Sequence, residues 1–505
     1  MKKIILLSVG VFLTLTSQAQ QISDALRYSN DEIQGTARFR ALSGAFGALG
    51  GDMSAVNINP AGSAVFNSSH ASASGSILTR HSETDFFSTE HAKTNTAIDF
   101  NQLGGAFVFK NSNENSPWKK IVLSAAYDKV DNFNNDWYAH GSNTNSIDQY
   151  FLSYAQGNRL DEISRFSGES YTDAYADIGY YYGYGNQQAF LGYESYILEP
   201  LDAVDENIAY SSNIGAGTFF QKYYHESSGY NSKVALNIAT QLGNKLYLGA
   251  NLNTHFIYYK QDTYFYENNS NPSSIVNEVA FDNSLRTTGS GFSFQVGAIF
   301  KPIEFLRIGA SYSSPTWFLL QDETSQSIAT NHNYNGSPET TVVAPNVVNF
   351  FEDYKIQSPG KITGSLAFVF AENGLISFDY SYRDYSNTRF KPTSDMYFRS
   401  LNSELSSSLT GASTYRIGGE YKIKMISLRA GYRMEESPYK NGETIGDLTG
   451  YSLGLGFNLG MVKLDLSYDN AQRKSNYQFF ETGLTDPITL DSTSHNVIFT
   501  VCFNL

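Results

Sequence analysis

The chain lacks most of what a soluble multidomain protein or an enzyme would show. A single cysteine, Cys502, in 505 residues excludes an internal disulfide. Only 12 prolines occur, and no proline-rich linker or low-complexity tract divides the chain. Charged residues make up 17%. After residue 15 no apolar run approaches the roughly 20 residues a membrane helix needs. The net charge of −14 disfavours nucleic acid, which demands clustered Lys and Arg. It reads instead as a solvated, self-repelling surface. No Gly-x-Ser-x-Gly elbow, His-Glu-x-x-His helix or phosphate loop appears. Gly454-Leu455-Gly456 has the wrong spacing for a dinucleotide loop and lies within a strand pattern. The eight histidines (70, 81, 91, 140, 225, 255, 332 and 495) show no close metal-ligand spacing. We therefore expect no catalytic residues, no cofactor and no metal.

What is present is aromatic. The 36 Tyr and 35 Phe bring the aromatic share to 15%, yet mean hydropathy is −0.32. Aromatic richness without an apolar span fits strands that are greasy on one face only. At the start, Lys2 and Lys3 precede an apolar run from Ile4 to Leu15 and then Ser17-Gln18-Ala19. This is the layout of a secretory leader, too short to span a bilayer, with cleavage expected after Ala19. No Cys follows it, which disfavours a lipid anchor. Loss of Lys2 and Lys3 takes the net charge from −14 to −16.

From about residue 70 onward, apolar residues alternate with small or polar ones in segments of roughly ten, the length of a tilted membrane strand. Tyr451, Leu453, Leu455, Phe457 and Leu459 interleave with Ser452, Gly454, Gly456, Asn458 and Gly460. Val462, Leu464, Leu466 and Tyr468 interleave with Lys463, Asp465 and Ser467. The small and charged face suits a wet lumen, and the apolar face suits lipid. Applied throughout, this predicts fourteen strands near 70–80, 95–110, 119–133, 231–243, 245–262, 285–301, 304–314, 355–370, 374–386, 411–424, 425–436, 448–460, 461–474 and 492–505. The links carry independent information. Short turns at Gly243-Asn244, Lys301-Pro302, Glu372-Asn373, Lys424 and Gly460 alternate with long links at 134–230, 263–284, 315–354, 387–410, 437–447 and 475–491. Tight periplasmic turns and large external loops give this asymmetry in an outer-membrane barrel of a Gram-negative cell, and an even strand number puts both ends in the periplasm. The fold class expected is all-β: a transmembrane antiparallel barrel over 70–505. Cys502 falls on the luminal face as a small filler. Asp379, Arg383, Arg429, Arg433 and Asp465 are expected to form a solvated or paired network inside. His255, beside Asn251 and Asn253, reads as a structural hydrogen-bonding residue.

Residues 20–69 do not alternate. Ser23 to Tyr28 has the makings of a short helix. The stretch Gly44-Ala45-Phe46-Gly47-Ala48-Leu49-Gly50-Gly51-Asp52, followed by Asn59-Pro60-Ala61-Gly62, is rich in residues that pack closely and turn sharply. It reads as a plug inside the lumen; the alternative is a flexible periplasmic extension. This run resembles the N-terminal hatch of the FadL-type outer-membrane transporters of hydrophobic compounds. The resemblance implies a fourteen-stranded barrel plugged by its N-terminal segment. It further implies capture of apolar ligands such as long-chain fatty acids by external loops, a hatch rearrangement, and sideways diffusion through the wall. It places Asn59, Pro60, Ala61 and Gly62 at the junction of hatch and wall. Fatty acid, aromatic hydrocarbon, quinone-like compound and haem all remain open as ligands.

The longest link, 134–230, carries Tyr180-Tyr181-Tyr182-Gly183-Tyr184 and Phe190-Leu191-Gly192-Tyr193. Tyr184, Phe190, Leu191 and Tyr193 are ligand-entry candidates, because apolar pockets are lined by aromatics; packing of the loop on itself is the alternative. The partners expected are a hydrophobic small molecule, outer-membrane lipid with lipopolysaccharide, and the barrel-assembly machinery, with the protein a monomer. A scaffold role in protein secretion or adhesion, a lipid-modifying enzyme and a general porin are the competing readings.

Overall fold

The computed structural model describes residues 20–505 except 31, 114, 335, 371 and 372. The expected leader at 1–19, and Glu372 of one expected turn, lie outside the described residues.

Fourteen strands close into one antiparallel barrel. In chain order they are β1 (His70–Phe86), β2 (Thr89–Lys110), β3 (Trp118–Asn132), β4 (Phe219–Leu242), β5 (Leu246–Asn268), β6 (Val276–Ile303) and β7 (Leu306–Ser313). Then follow β8 (Lys361–Phe370), β9 (Gly374–Asp384), β10 (Gly411–Ile423), β11 (Ile426–Glu435), β12 (Ile445–Asn458), β13 (Val462–Gln478) and β14 (Pro487–Asn504). Each pairs with its neighbours in sequence, and β14 closes on β1 from Thr489↔Asp85 to Asn504↔His70. Closure pairs the first strand with the last and removes the terminal edges that an open sheet would present to the bilayer.

The period-two pattern sets which way each strand faces. On β12, Tyr451 and Leu453 are 48% and 53% exposed on the outer wall, while Ser452 between them is 1% exposed inside. The same inversion holds for Phe378 against Asp379, Phe499 against Thr500, and Leu252 against Asn251. Cys502 is buried on the inner side, and His255 Nε2 lies 3.0 Å from Ser293 Oγ. The inner-face charges are paired in part. Arg429 bridges Glu420 and Asp465, whereas Asp379 accepts main-chain N–H groups.

The structure departs from the sequence-based boundaries mainly at the outer rim. β6 has 28 residues, far more than the roughly ten a membrane strand needs. The link drawn at 134–230 contains strand at both ends: residues 135–143 pair with 219–227 of β4. The link drawn at 315–354 contains a long strand, Trp317–Tyr334, which pairs with the upper part of β6. These rim strands project beyond the lipid-facing band, so they lack the alternation that marks the others. Segments 354–357 and 361–370 were expected as one strand. They are split at Ser358-Pro359-Gly360, where proline offers no N–H to the ladder. The turn expected at Lys301-Pro302 lies at 304–305, next to a register shift between β6 and β7. The first external link is a two-residue hairpin at Phe87-Ser88, both with positive φ (48° and 62°), the signature of a primed turn.

Three helices roof this rim: α3 (Asp148–Ala155), α4 (Tyr171–Tyr181) and α5 (Tyr184–Glu194), here numbered after α1 (Ile22–Ser29) and α2 (Ala37–Ala41) of the N-terminal segment. Ser170 caps α4 by accepting from Asp173 N at 3.1 Å. The helices bury a continuous aromatic core with the rim strands. Phe151 meets Phe281 (centroids 5.4 Å apart), Tyr175 meets Phe190 (5.9 Å) and Tyr150 meets Phe480 (4.6 Å).

Candidate functional site

The described residues of 20–66 lie inside the barrel, most of them buried. Gly44, Gly50 and Gly51 have φ of +75°, +62° and +68°, a region that costs L-residues strain, so the segment doubles back tightly here. Asp52 accepts from Thr36 Oγ1 at 2.8 Å and from Ser54 N at 2.9 Å, tying the two limbs together. Gly51 N donates to Gly62 O at 3.0 Å. Asn59 is the principal link to the wall. Its Nδ2 donates to Gly47 O (2.7 Å) and Ala298 O (3.0 Å), while its Oδ1 accepts from Ala61 N (3.1 Å). Asn237 donates to Pro60 O at 3.0 Å.

The wall makes room for this with glycine. A Cβ at Gly297 on β6 would stand 2.1 Å from Asn59 Oδ1, and one at Gly249 on β5 would stand 2.4 Å from the Pro60 carbonyl. A Cβ at Gly309 on β7 would meet Gly47 O at 2.3 Å. Asp379 receives Phe46 N and Gly47 N, each at 2.9 Å. Arg40 forms a two-pronged pair with Asp469 (2.8 and 2.6 Å), and Arg38 meets Glu420 at 2.9 Å. The apolar partners that the wall offers residues 33–66 are mostly small, such as Ala367 and Ala106, whereas Tyr28 of α1 meets Phe133 and Phe318.

Above this segment lies a cavity of about 330 Å³. It runs between α1 and the inner faces of β9 to β13, lined there by Arg383, Arg416, Glu435 and Arg473, and reaches Asp131 and Phe133 at the top of β3. At that far side the wall is interrupted. β2 and β3 share a backbone ladder only from Lys110↔Lys120 up to Gln102↔Asp128. Above it, β2 pairs with β1 alone, and β3 pairs with β4. Two opposed bulges mark the spot: Asn101 is extra between Phe100 and Gln102, and Val130 is extra between Lys129 and Asp131. Among the described residues only side chains cross the gap. Lys129 and Asn132 hold Asp99, and Tyr138 Oη meets His91 Nδ1 at 2.8 Å. His91 and His140 face each other, Nε2 to Nε2, at 3.2 Å. From within, the N-terminal segment closes the gap: Glu32 N donates to Val130 O (3.1 Å), and Gln34 Oε1 accepts from Asn101 Nδ2 (3.1 Å).

The four aromatic-loop residues singled out from the sequence all lie on α5 in the roof. Phe190 and Leu191 are fully buried in its core, Tyr193 packs half-buried against that core, and Tyr184 Oη accepts from Gln326 Nε2 at 3.2 Å. None of them lines the lumen cavity. Tyr180 and Tyr181, at the end of α4, are exposed (82% and 66%), as is Phe166 (72%). Sequence reasoning did not find the interrupted ladder, the histidine pair or the arginine-lined cavity. Only the helical cap Ser170-x-x-Asp173 left a readable local signal for the roof.

Fold and site together define a fourteen-stranded barrel carrying an N-terminal segment within it. The family model described as outer membrane protein transport protein (OMPP1/FadL/TodX) matches residues 207–505, more than half of the chain, and the protein belongs to that family. A FadL homologue from Pseudomonas aeruginosa shares the fold with a TM-score of 0.54 at 10% identity, over 94% of this chain and 99% of that one. The toluene transporter TodX from P. putida does so at 0.52 and 12% identity, again over 94% and 99%. No curated protein matches the sequence.

Proposed function

We propose that the protein is a passive uptake route through the outer membrane for hydrophobic small molecules, of which long-chain fatty acids are one class. Lipopolysaccharide blocks such molecules, and a water-filled pore offers them no favourable solvent. The observation that carries the reading is the interrupted β2–β3 ladder, closed from inside by residues 32–34 and adjoined by the lumen cavity. In this reading residues 20–69 are a hatch, and Gly44, Gly47, Gly50, Gly51 and Asp52 shape its fold. Asn59, Pro60, Ala61 and Gly62 anchor it to β5 and β6. Ligand collects on the exposed aromatic surface of the roof, whose helix α5 (Tyr184, Phe190, Leu191, Tyr193) forms the lid over the lumen. It then passes to the cavity and leaves sideways into lipid when residues 32–34 withdraw from Val130 and Asn101. The leader is removed after Ala19, and the assembly machinery inserts the monomeric barrel among lipid and lipopolysaccharide.

The test is a lock. Gln34→Cys and Asn101→Cys, paired in a Cys502→Ala background, would fasten the hatch to the gap. Oxidised cells should lose uptake of a radiolabelled fatty acid or aromatic hydrocarbon, and a reductant should restore it. Unchanged uptake with the bond shown to be formed would sink the lateral route.

A further inference from the structure

The lumen cavity is not the purely apolar slot that a neutral hydrocarbon would prefer. On its β10–β13 side three arginines, Arg416, Arg433 and Arg473, gather around one carboxylate, Glu435, at 3.9, 4.0 and 3.8 Å. None of these is a hydrogen-bonding distance. Arg416 is 7% exposed, and its Nε and Nη1 have no hydrogen-bond partner among the described residues; Nε of Arg433 and of Arg473 likewise has none. Of the carboxylates nearby, Asp469 is held by Arg40, and Asp379 accepts the N–H groups of Phe46 and Gly47 on Oδ2 while its Oδ1 has no hydrogen-bond partner among the described residues. Glu436, also in the lining, accepts from Ser413 N.

Leaving buried guanidinium donors unmade is costly, and a carboxylate or phosphate oxygen is the partner whose geometry fits them. Among the described residues, the lining carries five cationic side chains and three carboxylates. The excess is two positive charges. Apolar groups complete the lining: Leu26 of α1 and Phe133 beyond β3, with Ile445 and the rings of Tyr439 and Tyr477 on the strand side. Its volume lies at the lower end of the roughly 300–1,000 Å³ typical of small-molecule pockets.

We propose that this cavity takes an amphiphile whose compact headgroup carries two negative charges, as a phosphate monoester does. The headgroup sits between Arg416 and Arg473, and the tail lies against Leu26 and Phe133. Glu435 stands among the three arginine side chains. The assignment rests on the lumen cavity being the ligand's station in the proposed transport, and it narrows the substrate to an anionic subclass.

The test is equilibrium binding to the full barrel in a neutral detergent at pH 8. The probes are octyl phosphate, octanoate, octanol and inorganic phosphate. The alkyl phosphate is then a dianion, since its second ionisation lies near pH 6. Octyl phosphate should bind about ten-fold more tightly than octanoate, the worth of roughly one added charge-assisted contact. Arg416→Gln and Arg473→Gln should each remove that margin while octanol binding stays as it was. Arg416→Lys, which keeps the charge and guards against misfolding, should retain part of it. Octanol matching octyl phosphate, or an Arg416→Gln barrel that binds octyl phosphate as before, overturns the assignment and leaves the transport reading standing. Inorganic phosphate competing as well as its octyl ester would mean a free-oxyanion site and also overturns it. A barrel that binds none of the four overturns this assignment, while failure of the hatch lock to stop uptake overturns the route itself.

Discussion

The N-terminal segment and the external roof are both buried additions to one barrel, and they are held in opposite ways. Beyond α1, which packs on Phe133 and Phe318, the segment at 36–66 meets the wall mainly through hydrogen bonds, ion pairs and glycine notches, with small residues opposite it. The roof at 144–218 is held by large aromatic side chains interlocked with the rim strands. Polar contacts in a wet lumen can be exchanged for water or a ligand's oxygens at small net cost, because each intramolecular hydrogen bond contributes only about 1 kcal/mol. A buried aromatic has no such substitute. Its removal from the core exposes area that water does not welcome. The lower part is built to be rearranged and the upper part to stay.

The comparison is broken most severely at the glycine notches. Gly297→Val or Gly249→Val drives side-chain atoms into Asn59 and Pro60, where the backbone has no room to yield. The expected cost exceeds about 3 kcal/mol, the upper range of overpacking. The segment should leave its seat while the barrel persists. Protease cutting between residues 20 and 66 in the purified barrel should rise many-fold, and single-channel conductance should appear. A resistant, silent barrel would mean that the notches do not seat the segment.

Phe190→Ala acts on the other region. Phe190 is fully buried, and such truncations cost about 3–5 kcal/mol. Hydrogen exchange should speed up across α3 to α5, while residues 20–66 and the barrel wall keep wild-type protection. Equal loosening of both regions would refute their independence.

The smallest effect sharpens the comparison by pH. Glu267 lies at the outer end of β5, beyond the lipid-facing band, 1% exposed. It accepts from Ile147 N (3.0 Å), Gln221 Nε2 (2.8 Å) and Ser146 Oγ, so it fastens the start of α3. Burial pushes its carboxyl up to about 7, against the opposing pull of those hydrogen bonds. The folded roof therefore keeps a proton that the unfolded chain releases above its ordinary value near 4.3. Stability is greatest below that value and falls as pH rises toward 7, by at most about 1.4 kcal/mol per pH unit. Above 7 the contribution is flat. Roof exchange rates measured from pH 4 to 8, corrected for intrinsic chemistry, should show this slope in wild type and lose it in Glu267→Gln. A slope that survives the substitution belongs to another group.

Legibility along the chain follows the same physics. All fourteen strands can be read because lipid on one side and a polar lumen on the other impose period two wherever a strand crosses. Outside the bilayer that constraint lapses, and there the reading failed. Strand 317–334 and the outer part of β6 carry mixed polar and apolar residues on both faces, and in α4 the exposed stripe at 172, 173, 176, 177 and 180 mixes Asp with Ala and Tyr. Asn59 and Pro60 stood out because a turn pair within a Gly/Ala run is locally unusual. Gly249, Gly297 and Gly309 looked like ordinary small residues of a wall, since the atoms that need their space lie some 190 to 260 positions away in the chain.

By itself the sequence determined the class: a leader pattern, one greasy face per strand, short and long links in alternation, and a Gly/Ala segment ahead of them. These are local consequences of solvent, and every short window carries them. Only the tertiary structure decided where the wall is interrupted, what closes it and which charges are left without partners. A bulge at Asn101 matters because Val130 bulges opposite it and Glu32 arrives from another part of the chain. Arg416 Nε and Nη1 are left without partners where residues 40, 46 and 47, far off in the chain, engage Asp469 and one oxygen of Asp379. Such competition for partners is settled in three dimensions, among groups hundreds of residues apart.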